Sequence, residues 1–238
     1  MTEHSRHSDP RPSEVGRVRA VLTGRAVPYT RPGTFSAIDK QPHSGPMAVA
    51  ELGLAGDEQG DRKHHGGPDK AVHVYPWAHY ARWQAELGAH ALLQQPGAFG
   101  ENLSVDGLDE SLVCIGDTWA IGTARLIVSQ GRQPCWRLND RLGVPDMARR
   151  VQDTGRSGWY LRVQQPGQLQ VGDTVYLLAR PHPDWPLERL AALIRDRVCD
   201  PQRLQGVLDL PLPPSWQRLF AARLEQGEVE SWDRRLRG

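Results

Sequence analysis

Four stretches of the chain gather side chains able to do chemistry. The first reads Gly53-Leu54-Ala55-Gly56-Asp57-Glu58-Gln59-Gly60-Asp61-Arg62-Lys63-His64-His65-Gly66-Gly67-Pro68-Asp69-Lys70. Its glycines let the backbone come close to a ligand, and successive N–H groups can form an anion-binding concavity. Arg62, Lys63 and Lys70 add positive charge. His64 and His65 are adjacent, cannot share one face of a regular element, and must have different duties. A surface loop with a Gly-Gly-Pro turn suits the same composition, so both readings stand. The second stretch, Phe99-Gly100-Glu101-Asn102-Leu103-Ser104, carries an Asn102 amide that can donate to and accept from a heterocycle edge, or that simply turns the chain into a strand. In the third, Ser129-Gln130-Gly131-Arg132-Gln133-Pro134-Cys135-Trp136-Arg137-Leu138-Asn139, a cysteine follows a proline between two arginines. Neighbouring cations favour the thiolate, the nucleophile and soft-metal ligand. The fourth, Gly155-Arg156-Ser157-Gly158-Trp159-Tyr160, suits tight packing beside a cavity or the opening of a core strand.

Other chemistries lack their signatures. No GxxxxGK[ST] occurs and no GxGxxG follows a strand, so neither a phosphate loop nor a dinucleotide fold is indicated. HExxH is absent, and His64, His65, His73 and His79 form no tetrahedral zinc set with cysteine or carboxylate spacing. The three cysteines, Cys114, Cys135 and Cys199, are odd in number and widely spaced, which fits a reducing cytoplasm rather than a disulfide framework. Cys114 and Cys199 read as small buried hydrophobes. The chain has 238 residues, 29 Lys plus Arg against 28 Asp plus Glu, and a net charge of +1. That balance indicates no dedicated nucleic-acid or acidic-lipid binder. No apolar run reaches the roughly 18 residues a membrane span requires, and residues 1–10 lack a secretory core.

The elements that must position these groups are mostly strands. Residues 1–14 are polar and read as a disordered leader. Strands are expected over Val15–Leu22, Met47–Leu52 and Ala71–Tyr75. Thr118–Ile121 and Ala124–Ser129 form a hairpin about Gly122-Thr123. A second hairpin is expected from Trp159–Val163, turning at Pro166-Gly167 and returning over Val171–Leu178. Pro76 opens a helix with Trp77, Tyr80, Ala81, Gln84 and Leu87 along one side, closed by Gly88, and another spans Pro145–Thr154 before Gly155. From about Asp184 the pattern turns helical: one helix after Pro186, one started by Asp200-Pro201, and one capped by Ser215 and stopped by Gly227.

In their order and spacing these segments resemble the MOSC domain, the sulfurase C-terminal molybdenum-cofactor module, and above all its bacterial YiiM-type subfamily. The resemblance rests on Gly56-Asp57-Glu58-Gln59, Arg62, His64-His65-Gly66-Gly67-Pro68 and Ala71-Val72-His73. It continues through Tyr75-Pro76, His79-Tyr80, Phe99-Gly100-Glu101-Asn102-Leu103, Cys114-Ile115-Gly116-Asp117, Ser129-Gln130, Pro134-Cys135-Trp136, Leu138-Asn139 and Gly158-Trp159-Tyr160. It implies a mainly β protein: a MOSC-type β-barrel over residues 15–180 with a few peripheral helices, and a small C-terminal three-helix domain over 184–232. It implies further a cytoplasmic oxidoreductase that uses a molybdenum cofactor of molybdopterin type to reduce N-hydroxylated compounds, hydroxylaminopurine-type bases among them, to amines. The expected partners are that small-molecule substrate and an external electron-donor redox protein, with no membrane, no nucleic acid, and room for a homodimer.

The same resemblance suggests roles. Cys135 would be the metal ligand and catalytic centre, with His64 or His65 supplying a proton. Lys63, Gly66, Gly67, Gly100, Asn102, Ser129, Gln130 and Arg132 would hold the cofactor. Arg132 departs from the family pattern, in which an arginine directly follows the position of Gln130. The alternative is a carrier of cofactor or sulfur, with persulfide on Cys135 and no turnover. The arginines of the tail, Arg189 and Arg195 among them, suit docking of an acidic redox partner or an ordinary solvated face.

Overall fold

The structure is a computed structural model, and it describes residues 12–61 and 66–238. Seven strands close into a barrel: β1 (Ser13–Thr23), β7 (Val72–Pro76), β8 (Leu103–Asp106), β9 (Thr118–Ile121), β10 (Ala124–Gly131), β11 (Trp159–Gln165) and β13 (Thr174–Ala179). Their order is β13-β9-β10-β11-β7-β8-β1, and pairing of Ser13–Arg17 with Thr174–Leu177 joins the ends. Closure leaves no unpaired edge in the ring. A short β4 (Gln41–His43) extends the sheet on β1. Outside lie the hairpin of β2 (Val27–Pro28) with β3 (Phe35–Ser36), and a small sheet of β5 (Met47–Ala50), β6 (Gly53–Leu54) and β12 (Gly167–Leu169). The barrel is thus the mainly β architecture expected from the sequence.

Only β7 and β8 run parallel, so a crossover must join them. Helix α1 (Ala78–Leu87) supplies it, opened after Pro76 and closed at Gly88 as expected. Its buried face is His79, Tyr80 and Trp83, while Ala81 is exposed, because α1 packs on an aromatic cluster rather than on the barrel. The hairpin about Gly122-Thr123 forms as read. The expected Trp159–Leu178 hairpin does not. β11 lies between β10 and β7, and β13 pairs with β9 and β1. Gly167 is needed for close approach rather than for a tight turn: a Cβ there would stand 2.6 Å from the Ala124 nitrogen.

Two short helices follow the Cys135 segment, α2 (Arg137–Leu142) and α3 (Met147–Thr154), each ended by a left-handed glycine, Gly143 and Gly155. Sequence reading found α3 and missed α2, whose six residues are too few to show a period. The tail carries α4 (Leu187–Arg195), α5 (Pro201–Leu204), α6 (Pro214–Gln226) and α7 (Asp233–Arg237). The Asp200 carboxylate caps α5 by accepting from the Arg203 nitrogen at 2.8 Å. Ser215 does not cap α6; Pro214 starts that helix and Ser215 lies inside its first turn. α7 was not foreseen.

The apolar residues of the tail are continuous with the barrel core. Leu190, Ile194, Val207, Trp216, Phe220 and Leu236 share one cluster with Val74, Trp119, Leu126 and Trp159. Inside the barrel the Trp119 and Trp159 rings meet edge to face at 6.0 Å. β1 begins at Ser13, inside the stretch assigned to a leader, and residues 1–11 lie outside the described residues. No helix of the described residues is long and apolar enough to cross a membrane.

A buried arginine locks the tail. Arg223 donates to both Glu230 carboxylate oxygens at 2.8 Å and to the backbone oxygens of Leu193 and Val198. Burial pushes the Glu230 carboxyl up, but donors from Arg223 and the Trp232 indole outweigh it and hold the carboxyl below its ordinary value. A lowered folded-state pKa contributes stability above the unfolded value, and that contribution is lost as pH falls through the folded one. The thermal midpoint of the wild type should therefore exceed that of Glu230→Gln above pH 4.5, the gap narrowing below it. Calorimetry from pH 3 to pH 7 checks this, and a gap that ignores pH contradicts it.

Candidate functional site

A cavity of about 600 Å³, counted with its mouth, lies against the outer face of the barrel wall. Neighbouring strands set its floor through Tyr160 of β11 and His73 of β7. Their register lays Gln130, Tyr160 and His73 side by side across β10, β11 and β7, and the Tyr160 and His73 rings stand 5.0 Å apart. Along β7 the alternation sends Val72 and Val74 into the barrel core, while His73 lines the cavity.

Cys135 enters from the end of β10. The strand runs out at Gly131, and the Arg132 nitrogen donates to the Gly158 oxygen at 2.9 Å, turning the chain across the cavity. Gly158 is required there. Its φ is +71°, and a Cβ would lie 2.3 Å from the Val74 oxygen and 3.2 Å from His73 Nε2. Both readings of that segment hold, since Trp159 opens a core strand and Tyr160 faces the cavity. Cys135 is 8% exposed and lines the cavity with Arg132, Lys70 and Arg137. It is therefore buried without being sealed in apolar surroundings. Cys114 is buried with its Sγ toward the Pro183 oxygen, whereas Cys199 is only half-buried, a correction to its expected burial.

Electrostatics at this wall favour an anion. Arg132 is buried, and its Nη1 has no hydrogen-bond partner among the described residues. Burial pushes the Lys70 ammonium down, opposed first by Cys135 and then by Asp61 and Asp69. Burial, and then the Arg132 charge, push the His73 imidazole well down, so this histidine is neutral at pH 7. Its Nδ1 lies 3.2 Å from the Gly100 oxygen, and its buried Nε2 has no hydrogen-bond partner among the described residues. Burial raises the Tyr160 phenol, which stays protonated.

The opposite wall is built on Asp57. Its carboxylate accepts from the Gly24 nitrogen at 2.7 Å, from Asn102 Nδ2 at 2.9 Å and from Lys40 Nζ. Asn102 Nδ2 also reaches the Leu22 oxygen, while its Oδ1 accepts from the His73 nitrogen at 3.0 Å. Both ends of this amide are engaged by the protein. Asn102 thus organises the wall rather than presenting a free amide to a heterocycle, as the sequence suggested. The β2–β3 hairpin covers the mouth, tied down by Tyr29 Oη to the Arg137 oxygen and by Thr30 to Asp140. Phe35 stands there 47% exposed.

Among the expected site residues, Cys135, Arg132, Gly100 and Asn102 meet at the cavity. Ser129 and Gln130 do not line it. Ser129 Oγ lies 2.6 Å from the Asp69 oxygen and pins the turn Pro68–Lys70, and Gln130 is buried beside Tyr160. Gly66 and Gly67 also stand off the cavity, with Gly67 opening that turn. Lys63, His64 and His65 lie outside the described residues, although Asp61 and Lys70 on either side of them both line the cavity. His73, Lys40, Tyr160 and Phe35 were not foreseen as site residues. The strict alternation about His73 was the available signal for that one.

The comparisons agree with this architecture. Residues 61–176 match the MOSC domain, and residues 185–227 match the YiiM-like, 3-alpha helix domain. The chain belongs to the MOSC family. It is 39% identical over 219 residues to Protein YiiM of Escherichia coli strain K12, covering 92% of this chain and 97% of that protein. The crystal structure of YiiM from Escherichia coli superposes with a TM-score of 0.78 at 34% identity, covering 93% of this chain and 99% of that one. A protein of Gibberella moniliformis strain M3125 named Reductase is 38% identical over 217 residues, covering 90% of this chain and 38% of its own length.

The Lys40–Asp57 pair is the energetic centre of the wall, with side chains only 7% and 3% exposed. Asp57→Asn leaves a buried ammonium facing a neutral partner and should destabilise the fold by about 3 kcal/mol. Urea titration checks this, and adding Lys40→Met to Asp57→Asn, which removes the unbalanced charge while the amide oxygen still accepts a hydrogen bond, should return part of the loss.

Proposed function

We propose that this chain is a molybdenum-cofactor-dependent oxidoreductase that reduces N-hydroxylated compounds to amines. The observation that carries the reading is the cavity-facing Cys135 beside Arg132, whose buried Nη1 has no partner among the described residues. Among the described residues no three His, Cys, Asp or Glu groups converge on a metal position. A soft metal held here by Cys135 would need its remaining ligands from an organic group, as a dithiolene cofactor provides. Arg132 Nη1 and Lys70 suit the negative charge of such a group, so the residues present fit it. The family and the relative named Reductase support the same direction.

When bound, the cofactor supplies the two-electron redox chemistry that a thiol and a set of cations lack. The reaction is R–NHOH plus two electrons and two protons, giving R–NH2 and water, with an external redox protein as electron source. The chain's own work is to hold and to position. Cys135 would ligate the metal from the wall that Arg132 and Gly158 fix. Phe35 offers an aromatic face to a planar substrate base at the mouth. His73 is neutral and supplies no proton, leaving His64 and His65 as the proton donors of this reading, since imidazoles titrate near neutrality. The enzyme works in the cytoplasm.

The test is purification from a host that makes the cofactor, with metal analysis and an assay on hydroxylaminopurine. Wild type should carry about one molybdenum per chain and turn over, and Cys135→Ala should lose both. Stoichiometric molybdenum in Cys135→Ala removes the ligand assignment. A sulfur adduct on Cys135 with no reductase turnover would favour the carrier instead.

A further inference from the structure

The last helix of the chain reaches the Cys135 segment from behind. Arg235, in the middle of α7, holds the residues on both sides of the cysteine. Its Nη1 donates to the Pro134 oxygen at 2.6 Å, and its own backbone oxygen accepts from the Trp136 nitrogen at 2.8 Å. One residue thus fixes the peptide before Cys135 and the peptide after it. The next residue repeats the contact, since Asn139 Nδ2 donates to the Leu236 oxygen at 2.9 Å while Asn139 Oδ1 accepts from the Ala148 nitrogen. Arg235 is held in turn by Gln152 of α3. On the other side of Trp136 lies the Arg31 guanidinium, 3.8 Å from the ring centroid.

This arrangement is built rather than incidental. Leu236 and Trp232, which flank Arg235, are buried in the main core, and the Trp232 indole donates to Glu230, the partner of Arg223. Burial lowers the Arg235 guanidinium to about 10, opposed first by the charge of Cys135, so the group stays charged at neutral pH and lies within electrostatic reach of the sulfur. The residues matched by the two family models end at 227, before this helix.

We propose that Arg235 is a positioning residue, and that α7 is the clamp that fixes Cys135 Sγ in the cavity. Burial of Trp232 and Leu236 seats the helix, and Arg235 transmits that seating to the two peptides flanking the cysteine. The consequence for reduction rests on the function proposed above, but the positioning itself can be read without cofactor.

The experiment uses the full chain without metal. Carbamidomethylation of Cys135 is followed by peptide mass spectrometry at one pH, with half-buried Cys199 as internal standard and the thermal midpoint as a check of folding. Arg235→Ala should change the Cys135-to-Cys199 rate ratio by about tenfold, the equivalent of one charge-assisted hydrogen bond. Arg235→Lys, which keeps a donor for the Pro134 oxygen, should return the ratio to within about threefold of wild type. An unchanged ratio in a folded Arg235→Ala protein overturns the proposal, as does failure of lysine to restore it. Should Arg235→Ala not fold, hydrogen exchange on the wild type decides. The Trp136 amide, which donates to Arg235, should open at the same rate as the Leu236 amide inside α7. Opening of Trp136 independently of Leu236 refutes the clamp. Normal molybdenum loading in Cys135→Ala would remove Cys135 as the metal ligand and leave the clamp standing.

Discussion

A single buried carboxylate sets the shape of the site. Asp57 accepts from the Gly24 backbone, from Asn102 and from Lys40, and through them it joins the end of β1, the entrance to β8 and the loop before β4. A carboxylate with almost no solvent contact persists only where its lone pairs are met and its charge is balanced. The balance is local, and the surrounding loops cannot shift without breaking it. Irregular chain is thereby held as firmly as a strand. That matters because this wall faces the Cys135 wall across the cavity, and neither wall is formed by a complete sheet.

The second wall obtains its rigidity differently. Cys135 sits where β10 has ended and α2 has not begun, so neither a sheet ladder nor a regular helix encloses its backbone, although its oxygen accepts from the Leu138 nitrogen at 3.0 Å. Three outside contacts stand in for them: the Gly158 oxygen for Arg132, and the side chain and backbone of Arg235 for Pro134 and Trp136. A reactive group placed on irregular backbone gains access to the cavity, and the supporting contacts remove the freedom that would otherwise blur its position. The apolar cluster shared by barrel and tail explains why support can come from the chain's end. Trp232 and Leu236 are part of the same core that Trp119 and Trp159 occupy.

What the sequence disclosed followed what is local. The Gly122-Thr123 hairpin, the stops at Gly88 and Gly155, and the Asp200-Pro201 start each depend on a few neighbouring residues, and each was legible. The Pro166-Gly167 turn misled because the same dipeptide serves a close approach to Thr123 and Ala124, and only the folded barrel reveals that neighbour. Cys135 and Arg132 were legible from their charged surroundings. His73 and Tyr160 were not recognised, because alternation in a strand shows which residues share a face but not that the face lines a cavity. Lys40 and Phe35 were out of reach for another reason. Each is brought to the site by contacts with residues more than fifteen positions away, Lys40 with Asp57 and Phe35 with Arg137.

The two walls divide the chemistry between them. Lys40 is neutralised by Asp57, so that wall contributes shape and little net charge. At the wall of Cys135, Arg132 Nη1 has no partner among the described residues, and Lys70 lies nearby. A buried guanidinium donor costs free energy unless something meets it. Placing that cost beside the cavity's thiol means that an anionic group bound there recovers it, and that binding is strongest where the sulfur stands. His73 sharpens the same asymmetry. Held neutral by burial and by Arg132, it adds no competing positive charge to the floor, so an anion in the cavity is drawn toward the Arg132 side.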